Sequence, residues 1–447
     1  MSGYTDAQNL CQKVLSRCGS DPAEVLFSTH DGALTRFANN TIHQNVSERN
    51  ATLSLRCFID KRAGMATTNR LDDAALDELV RRARTNAQAS RADSNDPGLP
   101  GPAAYSPAKS FDQPTAETTP RARAQAVGAV CHLAAEKGLN ASGAFTTGAG
   151  EVAIANSQDL SAYHAATYAD FQTVVMSEDS AGHAHASSWR LAEIPVEALG
   201  REAILKAERG RKPRSIEPGE YSVVFDPYVT DDLVTMLDFH GMSAQAVLEG
   251  RSWMNDRIGV KAMSSLVSIW DDGLDPQGMP LPFDYEGLPK QRVDIVHQGV
   301  VESPVYDRAT ALKAGKTSTG HARPPAQRSM GPFATNLFMA PGEASLEEMI
   351  RSTERGLYIT RFWYTRLVHP RDCVVTGMTR DGVFVIEKGE VAYPVKNLRF
   401  TQSYVNALAD VEAVGSETRL LMEDPGGLVT RVPALKISRF RFTGRTA

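Results

Sequence analysis

Near residue 24 the spacing of apolar side chains changes, and that change limits the folds open to this chain. Residues 4–18 place Leu10, Val14 and Cys18 on one stripe, with Cys11 and Leu15 beside it, as an amphipathic helix does. From 24 to 69 the apolar runs are short and broken by Asp31-Gly32 and Asn39-Asn40, residues suited to hairpin turns. Leu53, Leu55, Cys57 and Ile59 alternate, so that strand buries one face. Helical spacing returns at 71–90, where Leu71 and Asp72 open the segment and Leu76, Leu79, Val80 and Ala83 form its inner stripe. A sheet buried on one face needs a second layer, and a helix laid on a strand meander supplies it.

The pattern then recurs. Residues 91–120 are rich in Pro, Gly, Ser and Ala and read as a long surface connection. A helix is expected over 121–139, ending at Gly138; alternation with many small residues comes next over 141–189, and a third helix over 195–210. Residues 1–213 therefore read as one α+β domain, sheet then helix, twice. The charged stretch RKPRSIEPGE (211–220), with two prolines, marks a boundary. Residues 214–447 read as a β-rich domain with few helices, its clearest strands in 372–400 around turns at Asp381-Gly382 and Lys388-Gly389. A short helix is expected at 345–356, with Ser345 as N-cap, Glu348 closing a capping box and Gly356 as its stop. The fold class expected is α+β, with antiparallel sheet units packed by helices and then a strand-rich half.

The charge balance, 48 basic against 53 acidic residues, gives −5 and no general attraction to nucleic acid or anionic lipid. No run approaches a membrane span, and the start MSGYTDAQNL lacks the basic and apolar regions of a secretory leader, so a cytoplasmic protein is expected. Five scattered cysteines without a C-x-x-C pair read as reduced, buried thiols.

The segment DFHGMSAQAVLEGRSW (238–253) bears most directly on chemistry. It reads as a helix, capped by Thr230 with Asp231 and Asp232 at its positive end, that carries His240 on its apolar stripe. A zinc helix needs two ligands and a Glu to take a proton from metal-bound water. Here the His is followed by Gly241, and Ala244 and Gln245 stand a turn later, so His240 reads as a core residue. His183 and His185 share one strand face but lack a third ligand nearby in sequence; His164, His297, His321 and His369 are isolated. Asp271, Asp272 and Asp275 suit a hard cation or, more simply, a solvated turn. Cys373 with His369 is a conceivable nucleophile pair, although the stretch reads as the start of a buried strand. GKTS (315–318) lacks the upstream Gly of a phosphate loop, and no Gly-x-Ser-x-Gly elbow occurs.

Several blocks in fixed order resemble the TldD/PmbA family, also known as modulators of DNA gyrase. They are LTRFANNTIHQNVSERNATLSLRC, KRAGMATTNRLDDAAL, LEGRSWMNDRIG, FDYEGLPKQRVDIVHQGVV, DRATALKAGKTSTGHARP, SLEEMIRSTERGLYI and GVFVIEKGEVAYPVKNLRF. In that family TldD-like members resemble zinc peptidases with a His-Glu-x-x-x-His helix and a late Cys. TldE-like (PmbA) members keep the fold without those ligands and pair with a TldD-like chain. The equivalent helix here lacks His-Glu and the second His, and residues 415–444 lack Cys, so the chain is similar to the TldE side; Tyr285 departs from the family pattern, in which an acidic residue is common at that position. The resemblance implies a non-catalytic subunit with no metal or cofactor of its own. Zinc would sit in a TldD-like partner acting on small or unfolded peptides, and whether the chain self-associates when that partner is missing is left open. Nothing in the sequence suggests a nucleic-acid or membrane partner. The block STGHARP, with Thr319, Gly320, His321 and Arg323, is the expected groove lining: Gly320 for close backbone approach, His321 and Arg323 for a substrate carboxylate. Two other readings stay open: a stand-alone peptide-binding or scaffold protein, and a peptidase working through His183/His185 or Cys373.

Overall fold

In the computed structural model, residues 3–93, 96–423 and 427–445 are described. The first layer is built from α1 (Tyr4–Leu15), β1 (Ala23–Ala38), β2 (Thr41–Ile59), β3 (Arg62–Thr68) and α2 (Asp73–Ala89), then α3 (Pro120–Glu136), β4 (Asn140–Asn156), β5 (Ser161–Met176), β6 (Ala181–Ser188) and α4 (Val196–Arg209). The six strands form one antiparallel sheet in the order β3-β2-β1-β4-β5-β6. That order is symmetric about the β1–β4 pair, and each half is helix, three strands, helix. The expected repeat is therefore present, with a leading helix in each half.

A residue pattern carries the repeat. Ala63-Gly64-Met65-Ala66 in β3 matches Ala181-Gly182-His183-Ala184 in β6, and Ala83-x-x-x-Ala87 in α2 matches Ala203-x-x-x-Ala207 in α4. A Cβ on Gly64 would overlap the backbone of Ala83 and Ala87; one on Gly182 would overlap that of Ala203 and Ala207. Each glycine lets its helix lie directly on the strand, and the helical alanines keep that contact short. Asp72 caps α2 by accepting from the Ala75 amide at 3.1 Å.

The helices all lie on one face of this sheet. Val25, Phe27, Leu53, Leu55 and Cys57 pack under α1 and α2, and Phe37, Phe145, Phe171 and Val175 under α3 and α4. The other face meets the second half of the chain: Leu26, Ile154 and Ala162 pack on Phe283, and Tyr168 on Leu420, Met422 and Val429. Ion pairs tie the layers together, Lys206 to Asp226 at 3.0 Å and Arg419 to Glu202 at 2.9 Å.

All strands of the second sheet come from residue 220 onward. The sheet is mixed and thirteen-stranded, organised around the strand Val429–Arg445, which pairs with Glu220–Phe225, Asn336–Met339, Leu398–Ser403 and Val411–Met422. Its core gathers Phe225, Leu233, Leu237, Trp253, Phe400 and Phe440. The α+β class expected from the sequence holds. Three local expectations change. Asp31-Gly32 is no turn: β1 runs through it, paired with β2 on one side and β4 on the other, and only Asn39-Asn40 turns the chain. The helix at 345 ends at Arg351 with its Ser345–Glu348 capping box formed, and Gly356 belongs to the next strand, where a Cβ would crowd the Ser222 carbonyl. The helix expected to start at Thr230 starts at Pro227, because proline fits the first helical position.

Candidate functional site

The segment 238–253 is not one helix. Pro227–Leu237 is α-helical, Asp238–Met242 is a π-turn, and Ala244–Leu248 is a separate short helix after an extended Ser243. Gly241 is the cause. Trp253 packs flat against it, and a Cβ there would overlap the indole. The carbonyls released by the break find new donors: Trp253 Nε1 donates to the Leu237 carbonyl at 2.8 Å and the Ser252 hydroxyl to the Gly241 carbonyl at 2.6 Å. The extra residue in the turn changes the helical phase. His240 leaves the apolar stripe and becomes half-buried, which corrects its reading as a core residue. Asp238 is buried instead, and among the described residues neither carboxylate oxygen has a well-formed hydrogen bond, the Ala334 amide offering only weak support. Burial, opposed chiefly by Arg323, drives its pKa far above the usual carboxylate range.

A cavity of about 330 Å³ lies between the N-terminal sheet and the second domain. Its sheet wall includes His30, Asn50, Thr52, His164 and Tyr168; its opposite wall includes Met279, Leu281, Tyr285, Phe333 and Met422. His164 joins three parts of the chain through Nε2, which meets the Ser110 hydroxyl at 2.6 Å and the Pro280 carbonyl at 3.0 Å; burial lowers its pKa to about 4.

The polar floor is a connected group. His321 Nε2 meets Asp271 Oδ1 at 2.7 Å and its Nδ1 meets the Thr319 hydroxyl at 2.9 Å. Asp271 Oδ2 accepts the Thr335 and Asn336 amides, both at 2.8 Å, and Lys290 Nζ stands 4.0 Å from Oδ1 while donating to the Thr335 hydroxyl. Burial opposes ionisation of Asp271, yet Lys290, His321 and the amides outweigh it and bring its pKa to about 2. Burial and Lys290 keep His321 neutral. Asp284 accepts the Glu286, Leu288 and Ala322 amides at 2.9–3.0 Å, and burial still pushes it up to about 6.

Of the four groove residues expected from STGHARP, only His321 reaches this cavity. Thr319 is tied to Tyr306. Gly320, at φ +74, does allow a close backbone approach, but to Pro289 and Lys290 of this chain. Arg323 stacks on Phe333 at 3.9 Å and donates to the Gly331 carbonyl at 3.0 Å, so it acts from behind the cavity wall. Sequence reasoning did not single out Asp284, Lys290 or His30. Asp284 and Lys290 flank Tyr285 within the block FDYEGLPK, so attention to the neighbours of that position would have found them.

A second cavity, of about 540 Å³, abuts the first across Met422 and the Phe239–Phe333 ring pair, whose centroids are 5.3 Å apart. It is lined by His183, His185, Asp231, Asp232, Arg361 and Trp363, among others. His185 Nε2 meets Asp170 Oδ2 at 2.6 Å, and Ser187 donates to that same oxygen at 2.6 Å. The single ring nitrogen facing both groups cannot relay a proton between them, and the serine proton is already committed to Asp170, so this is no nucleophile triad. Cys373 is buried and its thiol pushed up to about 12, while His369 turns to Asp372 at 3.3 Å. Asp272 and Asp275 each accept an amide of their own turn, at 2.9 Å. Among the described residues no three His, Cys, Asp or Glu side chains gather as a metal would require.

An antiparallel sheet with helices on one face, closed over a larger mixed sheet with a cavity between them, defines a two-layer α+β protein. Residues 218–444 match the model of the PmbA/TldA metallopeptidase C-terminal domain and residues 23–87 that of PmbA/TldA metallopeptidase domain 1, and the chain belongs to the PmbA/TldD family. A metalloprotease of Methanothermobacter thermautotrophicus is 28% identical over 225 residues, covering 50% of this chain and 49% of that protein. A metalloprotease TldD homolog of Buchnera aphidicola is 25% identical over 230 residues, covering 51% and 47%. The chain thus spans about half the length of the curated relatives it matches. Two solved structures share the fold: TldE from Thermococcus kodakarensis (TM-score 0.87, 19% identity, 98% of this chain and 99% of that one) and a protein described as a modulator of DNA gyrase from Thermotoga maritima (TM-score 0.86, 18%, 98% and 100%). No helix among the described residues is long and apolar enough to cross a membrane.

Proposed function

We propose that this chain is the non-catalytic, TldE-like subunit of a cytoplasmic two-chain zinc metallopeptidase, in which a TldD-like partner holds the metal and small or unfolded peptides are cleaved. The observation that carries the reading is the segment 238–248. A zinc peptidase would need two ligands and a base on one helix there. This chain has a π-turn with one half-buried His, then Gly241, Ala244 and Gln245. These residues do not fit zinc, and the chain contributes no step through it. The family match and the shared fold with TldE support the same reading. In this role the interdomain cavity receives part of an extended peptide, with Met279, Leu281, Phe333 and Met422 against a side chain and Asn50 and His30 at the polar rim.

The test is co-purification from the native host with metal analysis, followed by peptide cleavage assays on the chain alone and mixed with its partner. Cleavage is expected only in the mixture, with zinc in the partner. Arg323→Ala should raise the peptide concentration needed for turnover by loosening Phe333, and His240→Gln should leave it unchanged. One tightly held zinc per copy of this chain, or cleavage by the chain alone, would overturn the reading.

A further inference from the structure

The second cavity holds groups that a peptide in the first does not use, and its charges do not balance. Asp231 and Asp232, adjacent on the helix Pro227–Leu237, both line it. Among the described residues neither forms an ion pair, and their hydrogen-bond partners are neutral hydroxyls. Asp232 is satisfied on both oxygens, by Thr365 at 2.8 Å and Tyr404 at 2.6 Å. Asp231 accepts on Oδ1 only, from Thr430 at 2.6 Å and Thr235 at 3.4 Å, and its Oδ2 has no hydrogen-bond partner among the described residues. Burial pushes both carboxyls up, Asp232 to about 6, as it does for acids without a close counter-ion. The arginines of the lining are committed elsewhere. Arg361 donates to Asp381 at 2.8 Å and lies over Trp363; Arg366 donates to the Thr365 carbonyl at 3.0 Å and lies over Tyr364. His183 lines the same cavity and is only 5% exposed, yet neither ring nitrogen has a hydrogen bond among the described residues. Burial keeps it neutral, so its ring offers one donor and one acceptor, both unspent. Phe239 and Tyr364 complete the lining at 45% and 63% exposure, and Tyr364 sits at φ +55, a strained backbone for a tyrosine.

We propose that this cavity binds the amino terminus of a peptide, its ammonium between Asp231 Oδ2 and His183 and its first side chain against Phe239 and Tyr364. On the peptide reading given above, on which this assignment rests, the site also sets a direction. The two cavities adjoin across Met422 and the Phe239–Phe333 pair, so a peptide whose first residue sits in the second continues into the first. The chemistry of the lining selects an ammonium. It brings Asp231 the positive charge the cavity lacks and gives the neutral imidazole a donor for its acceptor nitrogen. The two groups lie close enough together that His185 acts electrostatically on both. The exposed rings suit a cation and an apolar side chain alike. A carboxylate in the same place would face two acids and find each lining arginine already engaged. A metal ion would find no group of three ligands among the described residues.

The experiment uses the full chain alone with phenylalaninamide as probe, and reads binding by calorimetry and by tryptophan emission, since Trp363 lines the cavity. Phenylalaninamide is expected to bind saturably, and N-acetylphenylalaninamide, which lacks the ammonium, not to bind. Asp231→Asn keeps an acceptor for Thr430 and should weaken binding at least roughly tenfold, the scale of one lost charge-assisted hydrogen bond. Tyr364→Gly removes an exposed ring and suits the left-handed backbone, so binding should weaken while the melting temperature holds or rises. A purely structural role for Tyr364 would not give that opposition. Equal binding of the two probes would overturn the proposal, as would indifference to both substitutions. Equal or tighter binding of N-acetyllysinamide would assign the cavity to a lysine side chain and overturn it too. No catalytic partner enters the measurement, so absence of binding overturns the proposal and leaves the subunit reading to its own assay. Binding of phenylalaninamide by a chain that never supports cleavage would refute the subunit reading and leave the ammonium site standing.

Discussion

His321 and Asp271 meet at 2.7 Å with both side chains fully removed from water, and Lys290 is the charge that balances the carboxylate. Removing Asp271 leaves the Lys290 ammonium and two backbone amides buried without their acceptor. Asp271→Ala is expected to cost about 3–5 kcal/mol of stability. His321→Gln removes one charge-assisted hydrogen bond and should cost roughly 1.5–3 kcal/mol. Urea denaturation of both variants measures this. Equal losses in the two would refute the view that Asp271 is held mainly by Lys290 and the amides.

Acid should loosen the contact between the layers before it unfolds the floor of the cavity. His164 is held neutral in the fold, its pKa lowered from 6.5 to about 4, so the unfolded chain binds more protons below 6.5. Its contribution is present above that value and is lost as pH falls from 6.5 to about 4, on the order of 3 kcal/mol. Asp271 has the depressed pKa of a paired acid, and its contribution is lost only between 3.8 and about 2. Melting temperatures of native chain and His164→Gln across pH 7 to 4 test the first window. The variant should show a flatter profile.

Gly64 and Gly182 hold equivalent places in the two halves of the sheet, each against a helix backbone. Gly64→Ala and Gly182→Ala should each destabilise by about 1–3 kcal/mol or more, because backbone cannot step aside as a side chain can. Gly150, also in a strand of this sheet, has fewer close neighbours and serves as comparison. A neutral effect at either of the first two positions would contradict the shared packing.

Gly241→Ala pushes a methyl into the Trp253 indole, which also donates to the Leu237 carbonyl. A loss of roughly 1–3 kcal/mol is expected, with a changed tryptophan emission as the local signature. His240→Gln, at a half-buried position outside the core, should stay within about 0.5 kcal/mol. A larger effect for His240→Gln than for Gly241→Ala would show that the π-turn is not what shapes this segment.

The alternation at Leu53–Ile59, the stripe Leu76–Ala83 and the Ser345–Glu348 box were legible because each is a local pattern whose period or cap is set by the backbone itself. The family blocks were likewise in the residues, as was the missing ligand pair on 238–248. The repeat was half visible: sheet-then-helix was plain, but the equivalence of Gly64 and Gly182 depends on which backbone each one touches. The cavity was not legible. His164, the Asp284–Lys290 block and His321 are far apart in sequence, and only the tertiary fold brings them to one cavity. Residue 240 shows the limit most directly. Helical periodicity placed it on the apolar stripe, and the tertiary contact between Gly241 and Trp253 moved it off by inserting one residue into a turn. Sequence patterns set elements through short-range geometry. Burial, charge pairing and the phase of a helix depend on partners that arrive from elsewhere in the chain.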